Sequence, residues 1–343
     1  MSTQQPPTKK IKLTWALALG SAKKIKIFSS DILVNEIPYE VWRDVICPTL
    51  GYSDRLNLNA TCNEFVDTFG DYKQKFLKKH AIHVPQDVRT IEKAMELVAK
   101  LQLVPTEKEP LRIVLDKGVH EVAEVVNENF WHPLKLITVI CSHITFVGKG
   151  KDQTTILGGF QVNSQQNVKF EELAITNQNG RGLYLDGSDD IDLQRCVVKD
   201  CGVTGMWVQG GATVTATQCE FMENGEFGVG CKHMLSKAIL DDCTVHDNVF
   251  GGLSAFCYAV VDLHGTKTDI HSNGYDGIVA ENAKVNIHLP SQHNISHDNE
   301  RKNQLQRRGG TIANINADGT FTHVVEDDEF WSSDDEVWSD DDY

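Results

Sequence analysis

From residue 168 onward the chain copies itself at a nearly fixed step, and a period this short admits only architectures in which each copy stacks on the next. The copies read VKFEELAITNQNGRGLYLD, IDLQRCVVKDCGVTGMWVQ, VTATQCEFMENGEFGVGCK, AILDDCTVHDNVFGGLSAF and a looser VDLHGTKTDIHSNGYDGIVA, with a weaker sixth start at residues 293–299. Gly182, Gly205, Gly228, Gly252 and Gly277 mark steps of 23, 23, 24 and 25 residues. Leu173, Cys196, Cys219, Cys243 and Thr268 keep the same spacing. Within a copy, apolar residues alternate in short runs such as Ile191-x-Leu193, Cys196-x-Val198 and Met206-x-Val208, parted by Asn, Asp and Gly. Alternation at period two predicts strands, and the polar punctuation predicts turns.

Three short strands per copy, each pairing with its equivalent in the next, make a mainly β chain folded as a right-handed single-stranded parallel β-helix. Residues 108–325 allow roughly nine coils at this period. Coils stack at about 4.8 Å, so equivalent positions become ladders. The Cys196, Cys219 and Cys243 ladder is expected inside as packing, since a buried free cysteine behaves as a small hydrophobe, and no metal or cofactor site is expected. The anchor glycines and Asn224, Asn248 and Asn273 are expected to supply turn conformations. Residues 86–103 form an amphipathic helix with Val88, Ile91, Met95 and Val98 on one side, inside a capping segment 85–104. The segments LRIVLDKGVHEV and ITVICSHITFVGKGKDQTTILGG follow as strands, with turns at Lys117-Gly118-Val119 and Gly148-Lys149-Gly150. Gly148-Lys149-Gly150 lacks the rest of a phosphate-binding loop. This order of elements resembles the start of pectin-lyase-like β-helices, which implies a helix covering the first coil and shielding its open strands.

Residues 31–80 predict a small helical domain: Val41, Val45 and Ile46 recur on one face, Pro48 to Gly51 ends a first helix, and Ser53-Asp54 can open a second. The motif Ile37-Pro38-x-Glu40-Val41-Trp42, continued by Leu50, Asp54, Leu56, Leu58, Thr61, Cys62 and Phe65, resembles an F-box. That resemblance implies docking on a Skp-type adaptor of a cullin ubiquitin ligase through Ile37, Pro38, Val41, Ile46, Leu50, Leu56, Leu58, Cys62 and Phe65. Trp42 and Pro48 depart from the family pattern.

The formal charge of −15 argues against a nucleic-acid partner, which would need a basic stripe. Ten of the acidic residues lie in the tail 326–343, leaving −15 + 10 = −5 for the rest. The tail is expected to be disordered, with Ser332, Ser333 and Ser339 as candidates for acid-directed phosphorylation. Residues 1–30 read as a basic, disordered arm whose Lys9-Lys10 region is similar to a nuclear-import signal. Nine cysteines without a CxxC pair, and no apolar run long enough to span a bilayer, predict a cytoplasmic or nuclear protein without a membrane partner.

Together these features resemble F-box proteins with a β-helix of carbohydrate-binding and sugar-hydrolase type. The implied function is a non-enzymatic substrate-recognition subunit of a ubiquitin ligase, the β-helix offering a face to an unidentified target protein. A carbohydrate-active enzyme, lyase or glycoside hydrolase, and a plain interaction scaffold are the alternatives. Candidates for an enzyme are Asp189, Asp190, Asp192, Asp241, Asp242, His246, His271, Arg181 and Arg195. An enzyme would require two or more acidic side chains about 5–10 Å apart on one exposed face within a groove, and isolated charges alone would exclude it.

Overall fold

The computed structural model describes residues 16–19, 23–26, 81–100, 103–124, 135–288 and 295–323. The chain divides into two units, Met1–Lys75 and Phe76–Tyr343. In the first, Ala16–Leu19 pairs antiparallel with Lys23–Lys26, inside the stretch expected as a disordered arm. The F-box-like residues Ile37, Pro38, Val41, Ile46, Leu50, Leu56, Leu58, Cys62 and Phe65 lie outside the described residues, as do Ser332, Ser333 and Ser339.

The second unit is a parallel β-solenoid with three sheets. A representative coil runs Gln166–Glu171 in sheet one, Ala174–Thr176 in sheet two and Leu183–Asp186 in sheet three, then returns to sheet one at Asp189–Gln194. Among the described residues sheets two and three are each eight strands deep, and the three-sided stack makes about seven turns rather than nine. The step is not uniform. Leu111 pairs with Ile144, a step of 144 − 111 = 33, and Val285 pairs with Ile312, a step of 312 − 285 = 27. After Thr311–Ile315 the chain reverses into Phe321–His323, which pairs antiparallel.

Alternation puts one side of each strand inside. Val168, Ile191, Val214, Ala238, Val261, Val285 and Ile312 form one inward column of sheet one, and Phe170, Leu193, Ala216, Leu240, Leu263 and Ile287 a second, nearly all without solvent exposure. Each large side chain so buried contributes about 1.5–3 kcal/mol. Phe146, Phe160 and Phe170 meet at centroid distances of 4.9–5.4 Å in the early coils. Cys196, Cys219 and Cys243 are buried in a column that Thr268 extends, with Cys243 N donating to Thr268 Oγ1 at 3.3 Å. Burial pushes the Cys201 and Cys231 thiols up to about 12, so they are inert at neutral pH.

The helix over this stack, α1, spans Ile91–Lys100 and is shorter than the segment the periodicity predicts. Thr90 starts it, its hydroxyl accepting from Lys93 N at 3.3 Å. It buries Ile91, Ala94, Met95, Leu97 and Val98. Glu92 accepts from Ala123 N at 2.7 Å, tying the helix to the first coil.

The corners correct the expected roles of glycine and asparagine. Left-handed backbone follows the last five sheet-two strands at Asp200, Glu223, Asp247, Ser272 and Asp298, the residues just before the asparagine position. The asparagines point inward instead. Asn224 Nδ2 donates to Asn248 Oδ1, Asn248 to Asn273 and Asn273 to Asn299, each at 2.9 Å, and the same oxygens accept backbone N–H groups from the preceding coil. Asn248 Nδ2 also reaches the carbonyls of Phe221 and His246 at 3.2 and 3.0 Å. The glycines make room for this column. A Cβ on Gly252 would lie 2.8 Å from Asn273 Nδ2, 2.7 Å from Gly277 O and 2.6 Å from Ile270 Cγ2. A period of glycines is therefore the imprint of a neighbouring period of buried amides.

Asn248→Ala leaves backbone donors and carbonyls of two coils without partners and is expected to cost about 3 kcal/mol in urea unfolding. Gly252→Ala should cost about 1–3 kcal/mol through overpacking. A loss below about 0.5 kcal/mol for both, the range of neutral surface changes, would remove the ladder from its structural role.

Candidate functional site

Part of the outer side of sheet three is covered. Its outward residues Trp207, Ser254 and Val279 are 7%, 1% and 7% exposed. The Trp207 indole lies across Gly230 of the next coil, and the Arg181 guanidinium sits 5.1 Å from its centroid and 5.6 Å from that of Tyr184. Arg181 is thus packed on aromatic faces.

Sheet two presents a histidine ladder. His246, His271 and His297 are in register, with stacked rings 5.0 and 5.3 Å apart. Carboxylates bracket both ends of this ladder. His246 Nε2 lies 3.2 Å from Glu220 and its Nδ1 2.6 Å from Asp247, while His297 meets Asp269 at 3.1 Å and Asp298 at 2.9 Å. Burial raises the Glu220 pKa, but the hydrogen bonds from Lys151 and His246 outweigh it and leave the group below its usual value. The hydrogen bond to Asp298 raises His297, with Asp269 adding to it. His246 and His297 are thus occupied by their own acids, while His271 Nδ1 meets Ser272 Oγ at 3.0 Å.

Sheet one carries the open cluster. Its outward columns run Ile239, Asp262, Asn286 and, beside it, Asp241, His264, His288. Asp262 is largely buried. Its Oδ2 lies 2.7 Å from Lys237 Nζ, and its Oδ1 accepts from Asn286 Nδ2 at 2.7 Å and faces His288 Nε2 at 3.4 Å. Burial pushes the Asp262 carboxyl up, but the bonds from Lys237 and Asn286 prevail and hold it below the usual carboxylate range, so it stays charged. The His264 and His288 rings stack 3.9 Å apart. Burial, then the neighbouring His288, lowers the pKa of His264. Among the described residues neither ring nitrogen of His264 has a hydrogen-bond partner, whereas its carbonyl accepts from Thr268 Oγ1 and pins the corner. The ligand atoms of Asp262, His264 and His288 lie within 4.8 Å of one another, the one such set among the described residues.

The enzyme candidates read from the sequence separate accordingly. Asp241 joins the cluster, in register with His264. Asp192 pairs with Lys169 at 3.4 Å, Asp190 and Asp242 sit in left-handed corners, and Asp242 accepts from Lys267 N at 3.1 Å. Arg195, also at a corner, pairs with Glu172 of the preceding coil. His246 and His271 belong to sheet two. Lys237, Asp262, His264, Asn286 and His288 were missed. The signal for them was the repeat itself: Asp262-Leu263-His264 recurs as Asn286-Ile287-His288 one 24-residue step later.

Residues 158–325, just under half of the chain, match the family described as right handed beta helix region. No curated protein matches the sequence. Similar solved structures include ORF18 of Geobacillus virus E2, with 13% identity over 71% of this chain and 62% of that one and a TM-score of 0.44. The pectate lyase Pel9A shares 13% identity over 59% and 61%, with a TM-score of 0.45. An alginate lyase from Paenibacillus sp. shares 12% over 66% and 97%, at 0.39. The chain thus spans less than two thirds of the length of the first two. Likenesses this distant carry no assignment of activity by themselves. The expectation of a non-enzymatic ubiquitin-ligase subunit is nonetheless corrected: the family match is to a β-helix and takes in none of the F-box-like residues, and two of the similar structures are named as lyases. The charged groups of sheet one are also clustered rather than isolated, with Lys237 and His288 beside the buried Asp262.

The bracketed His297 yields a pH test. Its pKa is raised, so its contribution to stability is complete below the unfolded-chain value of about 6.5 and fades as pH rises through the folded value. In a proton NMR titration His297 should therefore give a midpoint above that value, and Asp298→Asn should lower it; an unmoved midpoint would refute the pairing.

Proposed function

We propose that this chain is a carbohydrate-active enzyme that abstracts the proton next to the carboxylate of an acidic polysaccharide, using the outer face of sheet one. The carrying observation is the juxtaposition on adjacent coils of the Lys237 ammonium, the Asn286 amide and a His264 imidazole with no hydrogen-bond partner among the described residues. A uronate ring needs those three functions. Its C5 proton is acidified only when the attached carboxylate is neutralised, a task for Lys237 and Asn286, and the proton then passes to a ring nitrogen of His264. The C–H electron pair forms the C4–C5 double bond, the C4–O bond breaks, and the departing oxygen takes a proton from solvent. Asp262 orients Lys237 and Asn286 by accepting from both.

Elimination fits this face better than hydrolysis. Hydrolysis needs one carboxyl group kept protonated to serve as acid, and Asp262 is held charged by its partners. Pectate and alginate, the acids in the names of the similar lyases, are the first polymers to try.

The test is the appearance of a conjugated unsaturated product, seen by ultraviolet absorption, when the full chain is incubated with polygalacturonate, alginate or another uronate polymer. His264→Ala is expected to lower the rate by about 10²–10⁴-fold with an unchanged thermal unfolding profile. An unsaturated product formed equally fast by that variant, or none from the intact chain with any uronate polymer, would sink the proposal.

A further inference from the structure

A second chemistry is available to the same cluster. Two imidazoles and one carboxylate on neighbouring strands are a donor set suited to a zinc-type cation, because imidazole favours borderline transition metals over calcium or magnesium. The three ligand atoms lie within 4.8 Å of one another. Bonds of about 2.0–2.2 Å around a tetrahedral ion require donors roughly 3.3 Å apart, a closure within reach of rotation of two half-exposed imidazoles. The carboxylate is the rigid member: Asp262 is largely buried and fixed by Asn286 at 2.7 Å. Three protein ligands leave a coordination position toward solvent.

We infer that Asp262, His264 and His288 form a binding site for a divalent transition-metal ion of the zinc type, and that the bound ion silences the face by occupying His264. The second half rests on the reading of His264 as the proton acceptor: a lone pair donated to a metal cannot take a proton from C5. The metal-loaded and active states then exclude one another. Lys237 is the built-in competitor. Its ammonium holds Asp262 at 2.7 Å, and an incoming cation must displace or share that partner. Removing the lysine charge should therefore strengthen metal binding, an effect opposite in sign to that of removing a ligand.

The experiment uses the tag-free chain of 343 residues and cobalt(II), whose visible absorption bands report coordination. The intact protein should bind one equivalent. His264→Ala and His288→Ala should each weaken binding about tenfold or more. Lys237→Met should tighten it, and His271→Ala on sheet two should leave it unchanged. Anomalous scattering from cobalt-treated crystals of the unaltered protein should place the ion between Asp262, His264 and His288, a check independent of how variants fold. Failure to bind, an ion located on the sheet-two histidines, or weaker binding in Lys237→Met would overturn the site. For the silencing, added zinc should abolish formation of the unsaturated product and a chelator should restore it; turnover unaffected by saturating zinc would overturn that half. Cobalt bound at this site by a protein without action on any uronate polymer would uphold the site and remove the catalytic reading.

Discussion

The molecule depends on coils registering on one another along an internal column of amides. Parallel strands hydrogen-bond evenly along their length and do not by themselves forbid a slip. The Asn224, Asn248, Asn273 and Asn299 column does, because each side chain satisfies a backbone N–H of the coil before it and the amide of the coil after it. A slip of one residue would strand buried donors in an apolar interior at a cost of about 1–3 kcal/mol each. Register is therefore held jointly by these amides and by the phenylalanine, leucine and valine columns, which the same slip would turn outward.

The same stacking builds the polar faces outside. A residue on one coil meets its equivalent about 24 positions later at strand spacing, so chemistry assembles from residues far apart in sequence with no special loop. Lys237, Asp262 and Asn286 come from three successive coils. The sheets differ in what is left over. On sheet two His246 and His297 are taken up by Glu220, Asp247, Asp269 and Asp298 and His271 meets Ser272, whereas His264 on sheet one keeps both nitrogens clear within the described residues.

Much of this was legible before any coordinates. The 23–25-residue step, the three strands per coil and the buried cysteine column follow from periodicity alone. The coil number did not, because nothing in a regular repeat announces a first step of 33 residues or a final reversal. The roles of Gly252 and Asn248 were misassigned because turn propensity and buried-ladder geometry select the same residue types. The cluster on sheet one was missed for a related reason. His246 and His271 lie in well-formed copies and drew attention, whereas Asp262 and His264 sit where the fifth copy loosens, and their proximity to Lys237 and His288 exists only across coils.

The sheets do not end level. Sheet one continues past the others at both ends, through Ala81–Val84 before the first full coil and through Phe321–His323 after the last. A solenoid with three flush edges could accept another copy as simply one more coil and polymerise without limit. Among the described residues the three edges are staggered instead, so that a second copy approaching either end would meet sheet one first.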